Sequence, residues 1–232
     1  MNHTAYSTKM KAADLVALDC NLLSILERFD IKLGFGEATV EELCASYSLS
    51  ANLVVAISNI YSFNDCHHKA GALKKEDIAH IISYLRASHR QYMNSSLPSL
   101  HNSIHVMIEE YDETNRYILN RFFDDYDNEI KKHFEHEEQC VFPYIENLLA
   151  GNIQPSEAFN ITKFEKNHTN VDEKLNDLKN IIIKYLPGNY TSDIRMKVLR
   201  KIFRMEDDLR KHSTVENRLL IPLVAKLEQD NG

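Results

Sequence analysis

The sequence predicts an all-α protein, an up-down four-helix bundle preceded by a small helical N-terminal unit. Three observations predict it. Helix breakers are scarce, with 6 Gly and 5 Pro among 232 residues, while Leu, Ile, Lys and Glu abound. Long stretches with a helical apolar period are joined by short loops, the pattern of antiparallel helices. One helical hairpin occurs twice in the chain.

The N-terminal unit, residues 1–61, reads as short helices. Asp14 to Phe29 carries apolar residues at 15, 18, 22, 25, 26 and 29, a helical period that predicts one helix. Gly34-Phe35-Gly36 reads as a turn. Thr39 with Glu42 three residues on forms a capping box and predicts a helix through Cys44 and Tyr47. Ser50 is the predicted cap of a further helix through Ile57 and Ile60. Residues 62–76 lack periodicity and read as a linker. The bundle, residues 77–232, follows. Its helices are predicted at about Glu76–Ser95 with a continuation past Leu97-Pro98 to His105, then at about 112–147, 155–185 and 192–228. Pro98, Pro143, Pro187 and Pro222 fall near helix ends or bends.

Composition excludes several classes of function. The chain is 44% hydrophobic and 26% charged, ordinary for a globular protein. The net charge of -7 and the interleaving of lysines with acids argue against nucleic acid binding. No apolar run approaches the roughly 18–20 residues of a membrane span, and Met1 to Leu18 has no signal-peptide character. A cytoplasmic location is therefore expected. Cys20, Cys44, Cys66 and Cys140 form no CxxC and are expected to be reduced and mostly buried. Cys20 and Cys44 are expected to serve in packing.

The duplicated segments are His133-Phe-Glu-His-Glu137 and His212-Ser-Thr-Val-Glu216. Each continues through five residues to a proline, Pro143 or Pro222. Residues i and i+4 share a helix face, so each copy presents an imidazole beside a carboxylate. His89 precedes His133 by 44 residues, and His168 precedes His212 by 44. Two such hairpins packed face to face bring four histidines and two glutamates into the bundle core. His133 and Glu137 share a stripe with Ile130, Val141 and Tyr144, and buried polar groups need partners. A metal supplies them. Mixed imidazole and carboxylate ligands without Cys point away from structural zinc. They suit two iron ions bridged by Glu137 and Glu216, with metals roughly 3.5–4 Å apart. Six protein ligands leave coordination positions open for a small molecule.

These segments resemble the hemerythrin-like iron–sulfur cluster repair proteins, the regulators of cell morphogenesis and nitric oxide signalling. The signature H-x-x-x-E-E-Q-x-[VL]-F-P is present as His133 to Pro143. H-x-x-x-E-N-x-x-[LV]-x-P is present as His212 to Pro222. Ser88-His89 with Leu97-Pro98 resembles the family's first ligand helix, and Asn167-His168 its third. The resemblance covers nearly the whole chain. It implies a hemerythrin-like bundle and a non-haem, oxo-bridged di-iron centre on His89, His133, Glu137, His168, His212 and Glu216. It further implies iron–sulfur proteins as clients, a role in nitrosative or oxidative stress, and O2 or NO as small ligands. A homodimer is compatible with it. The N-terminal unit resembles the family's small helical domain, yet Ile31-Lys32-Leu33-Gly34-Phe35-Gly36 stands where that family carries tandem cysteines.

The leading expectation is repair of, or iron donation to, damaged iron–sulfur clusters. A module that binds or senses O2 or NO, and a metal-free scaffold, are the alternatives. Among other groups, Glu138 is a candidate acceptor for a ligand imidazole's second N–H. Tyr84, Tyr92, Tyr144 and Phe142 are expected in the core. His136 and Cys140 lie about one residue off the ligand face. Cys66-His67-His68 lacks a spaced partner, and Glu165 with His168 forms only one copy of the Glu-x-x-His motif of ferritin-like bundles.

Overall fold

The computed structural model describes residues 5–63, 73–152, 160–162, 164, 173–186 and 192–231. Among the described residues the chain is all-α. The only β pairing is an isolated antiparallel bridge between Lys11 and Thr39, and no helix is long and apolar enough to cross a membrane.

The N-terminal helices are α1 (Ala12–Leu18), α2 (Leu22–Arg28), α3 (Val40–Ser46) and α4 (Ala51–Ser62). The period over residues 14–29 predicts a single helix, and the structure corrects this to two. Asp19 is extended at φ -146°, ψ 106°, and its side chain accepts the Asn21 N–H at 2.9 Å. That local bond competes with helix continuation. Leu15, Leu22, Ile25 and Leu26 are buried as the stripe requires, while Leu18 beside the break is 68% exposed. Cys20 falls in this break and is exposed, which overturns its expected packing role. Cys140 is also exposed and Cys44 is buried, so only one of the three described cysteines fits the expectation of mostly buried thiols. All three are free, and Cys66 lies outside the described residues. The capping box forms as the sequence predicts: Thr39 Oγ1 accepts from Glu42 N–H, and the Glu42 carboxylate accepts from Thr39 N–H. Ser50 caps α4 by accepting the Leu53 N–H. Helix α4 is buried all round from Leu53 to Tyr61, as a central core helix is.

The longer helices are α5 (Asp77–Gln91), α6 (Leu97–Ile108), α7 (Glu113–His136), α8 (Phe142–Leu149), α9 (Glu173–Asn180), α10 (Ser192–Val215) and α11 (Ile221–Asn231). Among the described residues, four π-helical turns join or follow them: Tyr92–Ser96 between α5 and α6, Glu137–Val141 between α7 and α8, Ile181–Tyr185 after α9, and Glu216–Leu220 between α10 and α11. Each is closed by an N–H bonding five residues back: Leu97 to Tyr92, Phe142 to Glu137, Leu186 to Ile181, and Ile221 to Glu216. In all four cases the sequence then places a proline: Pro98, Pro143, Pro187 and Pro222. Proline has no N–H and its ring collides with the carbonyl four residues back in an α-helix. A widened turn just before it relieves that conflict. Pro98, Pro143 and Pro222 accordingly sit inside continuing helix rather than at a break.

The chain divides into two compact units. The first comprises Met1–Ser88, Tyr144–Asn167 and Lys211–Gly232. There Arg28 is 5% exposed and donates to the hydroxyls of Tyr61 and Tyr84. Tyr144 Oη donates to Glu228 Oε1 at 2.7 Å, and the same oxygen accepts the Ile161 N–H at 2.9 Å. The second comprises His89–Pro143 and His168–Arg210. Its core is a continuous cluster including Leu100, Ile104, Phe123, Tyr126, Ile130, Leu175, Leu178, Ile202 and Leu209. Lys201 ties α10 to α6 there, donating to Ser99 O, Ser99 Oγ and Ser103 Oγ at 2.6–3.0 Å.

Two outcomes are expected of the N-terminal helices. Thr39→Ala removes a side-chain cap and lowers stability by about 1 kcal/mol, read as a lower urea midpoint with an unchanged slope. Burial pushes the Cys44 thiol up to about 11, so it is not a thiolate near neutral pH. Iodoacetamide on the native protein, mapped by mass spectrometry, labels Cys20 and Cys140 and spares Cys44 until the chain is unfolded.

Candidate metal centre

His89 lies near the end of α5, three residues ahead of a π turn, and is 4% exposed. Its ring is stacked on Phe134 at 4.2 Å and 23°, and on Phe142 at 5.7 Å and 12°. Its Nδ1 is 2.8 Å from Glu138 Oε1. A carboxylate only accepts, so Nδ1 carries the proton and donates. The other nitrogen, Nε2, faces Glu137 Oε2 at 3.1 Å, a separation that either a proton or a metal ion can join.

Glu137 is fully buried, at 0% exposure. It closes α7 and opens the π turn. While Oε2 faces His89, Oε1 faces His133 Nε2 at 3.2 Å. One carboxylate thus offers a separate imidazole on each oxygen, the donor layout of a bridging ligand. The second copy repeats half of this arrangement. His212 lies in the last turn of α10, Glu216 opens the next π turn, and both are 1% exposed. His212 Nε2 is 3.1 Å from Glu216 Oε1.

These spacings fit a metal. Metal–nitrogen and metal–oxygen bonds of about 2.1 Å place two cis ligands of an octahedral ion about 3 Å apart. The donor set is nitrogen and oxygen without sulfur, suited to first-row ions such as iron. Buried carboxylates are destabilised by several kcal/mol each unless a cation compensates them.

Of the six residues singled out by sequence, the structure sets His89 against Glu137 within the second unit and His212 against Glu216 within the first. It places His133, whose side chain is 9% exposed, against Glu137. His168 lies outside the described residues, as do Cys66, His67, His68 and Glu165. His136 and Cys140 are exposed, as their offset predicts. Tyr84, Tyr92 and Phe142 are buried as expected. Tyr144 is only partly buried because its hydroxyl reaches Glu228, and burial with that carboxylate raises its pKa. Glu138 is the acceptor for His89, as the reading of the sequence suggested. Two features escaped that reading: the Phe134 and Phe142 rings that clamp His89, and the π turn that begins at each ligand glutamate. The Pro ten residues after each His was the available signal for the turn.

An all-α fold with paired helical His-x-x-x-Glu segments turned into its interior defines a His/carboxylate cation-binding module. The family profile of the hemerythrin HHE cation-binding domain matches residues 80–224, and the chain belongs to that family. No curated protein matches the chain.

The bond from His89 to Glu138 fixes which nitrogen faces Glu137. Glu138→Ala releases the ring and is expected to weaken metal affinity by about 10–100-fold. Glu138→Gln keeps an acceptor oxygen and retains most of it. Competition with a chromophoric chelator reads both, and equal affinity in wild type and Glu138→Ala removes Glu138 from the site.

Proposed function

We propose that the chain holds a two-iron centre on His89, His133, Glu137, His168, His212 and Glu216. We further propose that this iron serves the repair of iron–sulfur clusters damaged by nitrosative or oxidative stress, by donating iron to them. The observation that carries the metal reading is the Glu137 carboxylate with an imidazole nitrogen at each oxygen, 3.1 and 3.2 Å away. That layout supports one carboxylate shared by two ions. The repair role is supported by the His133–Pro143 and His212–Pro222 signatures and their resemblance to the repair proteins.

Iron bound here would supply redox change and an open position for a small ligand such as NO or O2. The protein's own residues do the rest. Glu138 holds the Nδ1 proton of His89, so that only Nε2 is a donor toward the centre. Phe134 and Phe142 exclude water from one side of that ring and restrain its rotation. Glu137 and Glu216 neutralise cationic charge in the interior, and their positions at the first residue of a π turn allow local rearrangement of backbone that an α-helix lacks. On this reading, release of iron to a client accompanies loosening of one glutamate. The clients are cytoplasmic iron–sulfur proteins.

The test is metal analysis and an optical spectrum of protein from iron-replete cells, for wild type and Glu137→Ala. About two irons per chain with near-ultraviolet absorption in wild type, falling to one or none in the variant, is expected. Incubating the iron-loaded protein with an apo iron–sulfur protein then regenerates the client's cluster. Zinc or no metal in the wild type overturns the iron reading. A stable two-iron centre that regenerates no cluster but binds O2 or NO reversibly replaces repair by a binding or sensing module.

A further inference from the structure

A second pair of histidines lies on α6, within the second compact unit. His101 and His105 are one helical turn apart, and their Nε2 atoms approach to 2.8 Å at the exposed surface. The rings are set edge to face, with centroids 4.3 Å apart at 75°. His101 is held in this orientation from below: its ring is stacked on Phe123 at 5.2 Å and 12°, and Phe123 is a 2%-exposed member of the unit's core. The pair is therefore not two independently tumbling surface side chains. One ring is fixed by the core, and the other converges on it with the ligating nitrogen foremost.

We propose that His101 and His105 form a surface site for a divalent transition-metal ion, separate from the buried cluster. The geometry selects among ions. With metal–nitrogen bonds of about 2.0–2.1 Å, nitrogens 2.8 Å apart subtend about 85–90° at the metal. A tetrahedral ion needs its nitrogens about 3.3 Å apart. The right-angled arrangement suits Cu2+ and Ni2+, which prefer tetragonal geometry with nitrogen ligands, over Zn2+. Without the ion, two neutral imidazoles this close must share one proton, one nitrogen donating and the other accepting. With the ion, the donating ring moves its proton to Nδ1, so both Nε2 lone pairs bind and no net proton is released. Among the described residues no third ligating side chain joins the pair in a metal-sized group. The other coordination positions go to water or to a small exogenous ligand, which makes the site weak and exchangeable. Nothing in this inference depends on which metal occupies the buried centre.

The experiment uses the full chain with whatever metal it carries on purification and CuCl2 as probe, with electron paramagnetic resonance counting bound Cu2+ and its nitrogen ligands. Two variants are compared: His101→Phe, which keeps a ring on Phe123, and His105→Asn. Wild type is expected to bind one Cu2+ per chain with two nitrogen ligands. Each variant loses one ligand and binds about a hundredfold more weakly, because chelation is lost. The metal content on purification stays unchanged in both. A thermal scan gives the second readout: excess Cu2+ or Ni2+ raises the midpoint of wild type and of neither variant. Copper binding of unchanged stoichiometry and nitrogen count in both variants overturns the site. A midpoint rise with Zn2+ as large as that with Cu2+ overturns the assignment of ion class.

Discussion

A carboxylate taken out of water must find a cation or a set of donors, and this protein takes two of them, Glu137 and Glu216, into its interior. Much of the surrounding architecture answers that requirement. Each glutamate follows its histidine by one turn, so the imidazole that meets it is on the same helix and the pairing needs no long-range alignment. His89 then arrives from another helix with its tautomer already decided by Glu138. Buried carboxylates of this kind favour a compensating cation in the interior. Cation binding is the property shared by the hemerythrin HHE domain, and the buried donors give it a physical cause in this chain.

The π turns connect this requirement to the covalent sequence. A glutamate at the start of a widened turn keeps α-helical register with the histidine before it, while the residues after it are rotated by the extra residue in the turn. Val141 and Ile145 can thereby return to the core beyond Glu137, as Leu220 and Val224 do beyond Glu216. The proline two residues past each turn disfavours the regular α-helical alternative, because an α turn there brings its ring against the carbonyl four residues back. A feature that looks like a helix breaker in sequence is, in the fold, what maintains the register of the His–Glu face.

The helices and the paired His and Glu residues were legible in the sequence because both depend on local spacing. The i, i+4 pairs, the capping box at Thr39 and the cap at Ser50 are fixed within one turn of chain, and the structure shows them where the residues predict. What was not legible depends on competition or on contacts distant in sequence. Asp19 splits the N-terminal helix because one side-chain bond to Asn21 outweighs a periodic apolar stripe that is equally consistent with one helix or two. Cys20 then falls in the resulting turn instead of on a packed face. The prolines announced bends, but whether a helix ends or widens at a proline depends on packing on both sides of it. The stacking of His101 on Phe123 joins residues 22 apart on two helices, and no pattern local to either segment encodes it.

The N-terminal helices bear on how any iron chemistry is distributed in the chain. The turn at Ile31–Gly36 has no cysteine, and its glycines serve geometry: Gly34 and Gly36 have φ of 100° and 57°, where a side chain is strained. Thiol chemistry therefore has no seat in that turn. What these helices do supply is a packed contact with the residue beside His212. Lys211, 7% exposed, lies over the Tyr61 ring at 5.3 Å, and Arg28 of α2 donates to the hydroxyl of that same tyrosine. Two buried cations thus meet on one phenol, whose π face and oxygen are both electron-rich. Lys211 precedes His212 directly in the chain, so α2 and α4 brace the backbone that presents this imidazole. On the proposed reading the bundle carries the iron and the N-terminal helices restrain its ligands, a division of labour in which the cysteine pair of the similar repair proteins has no counterpart.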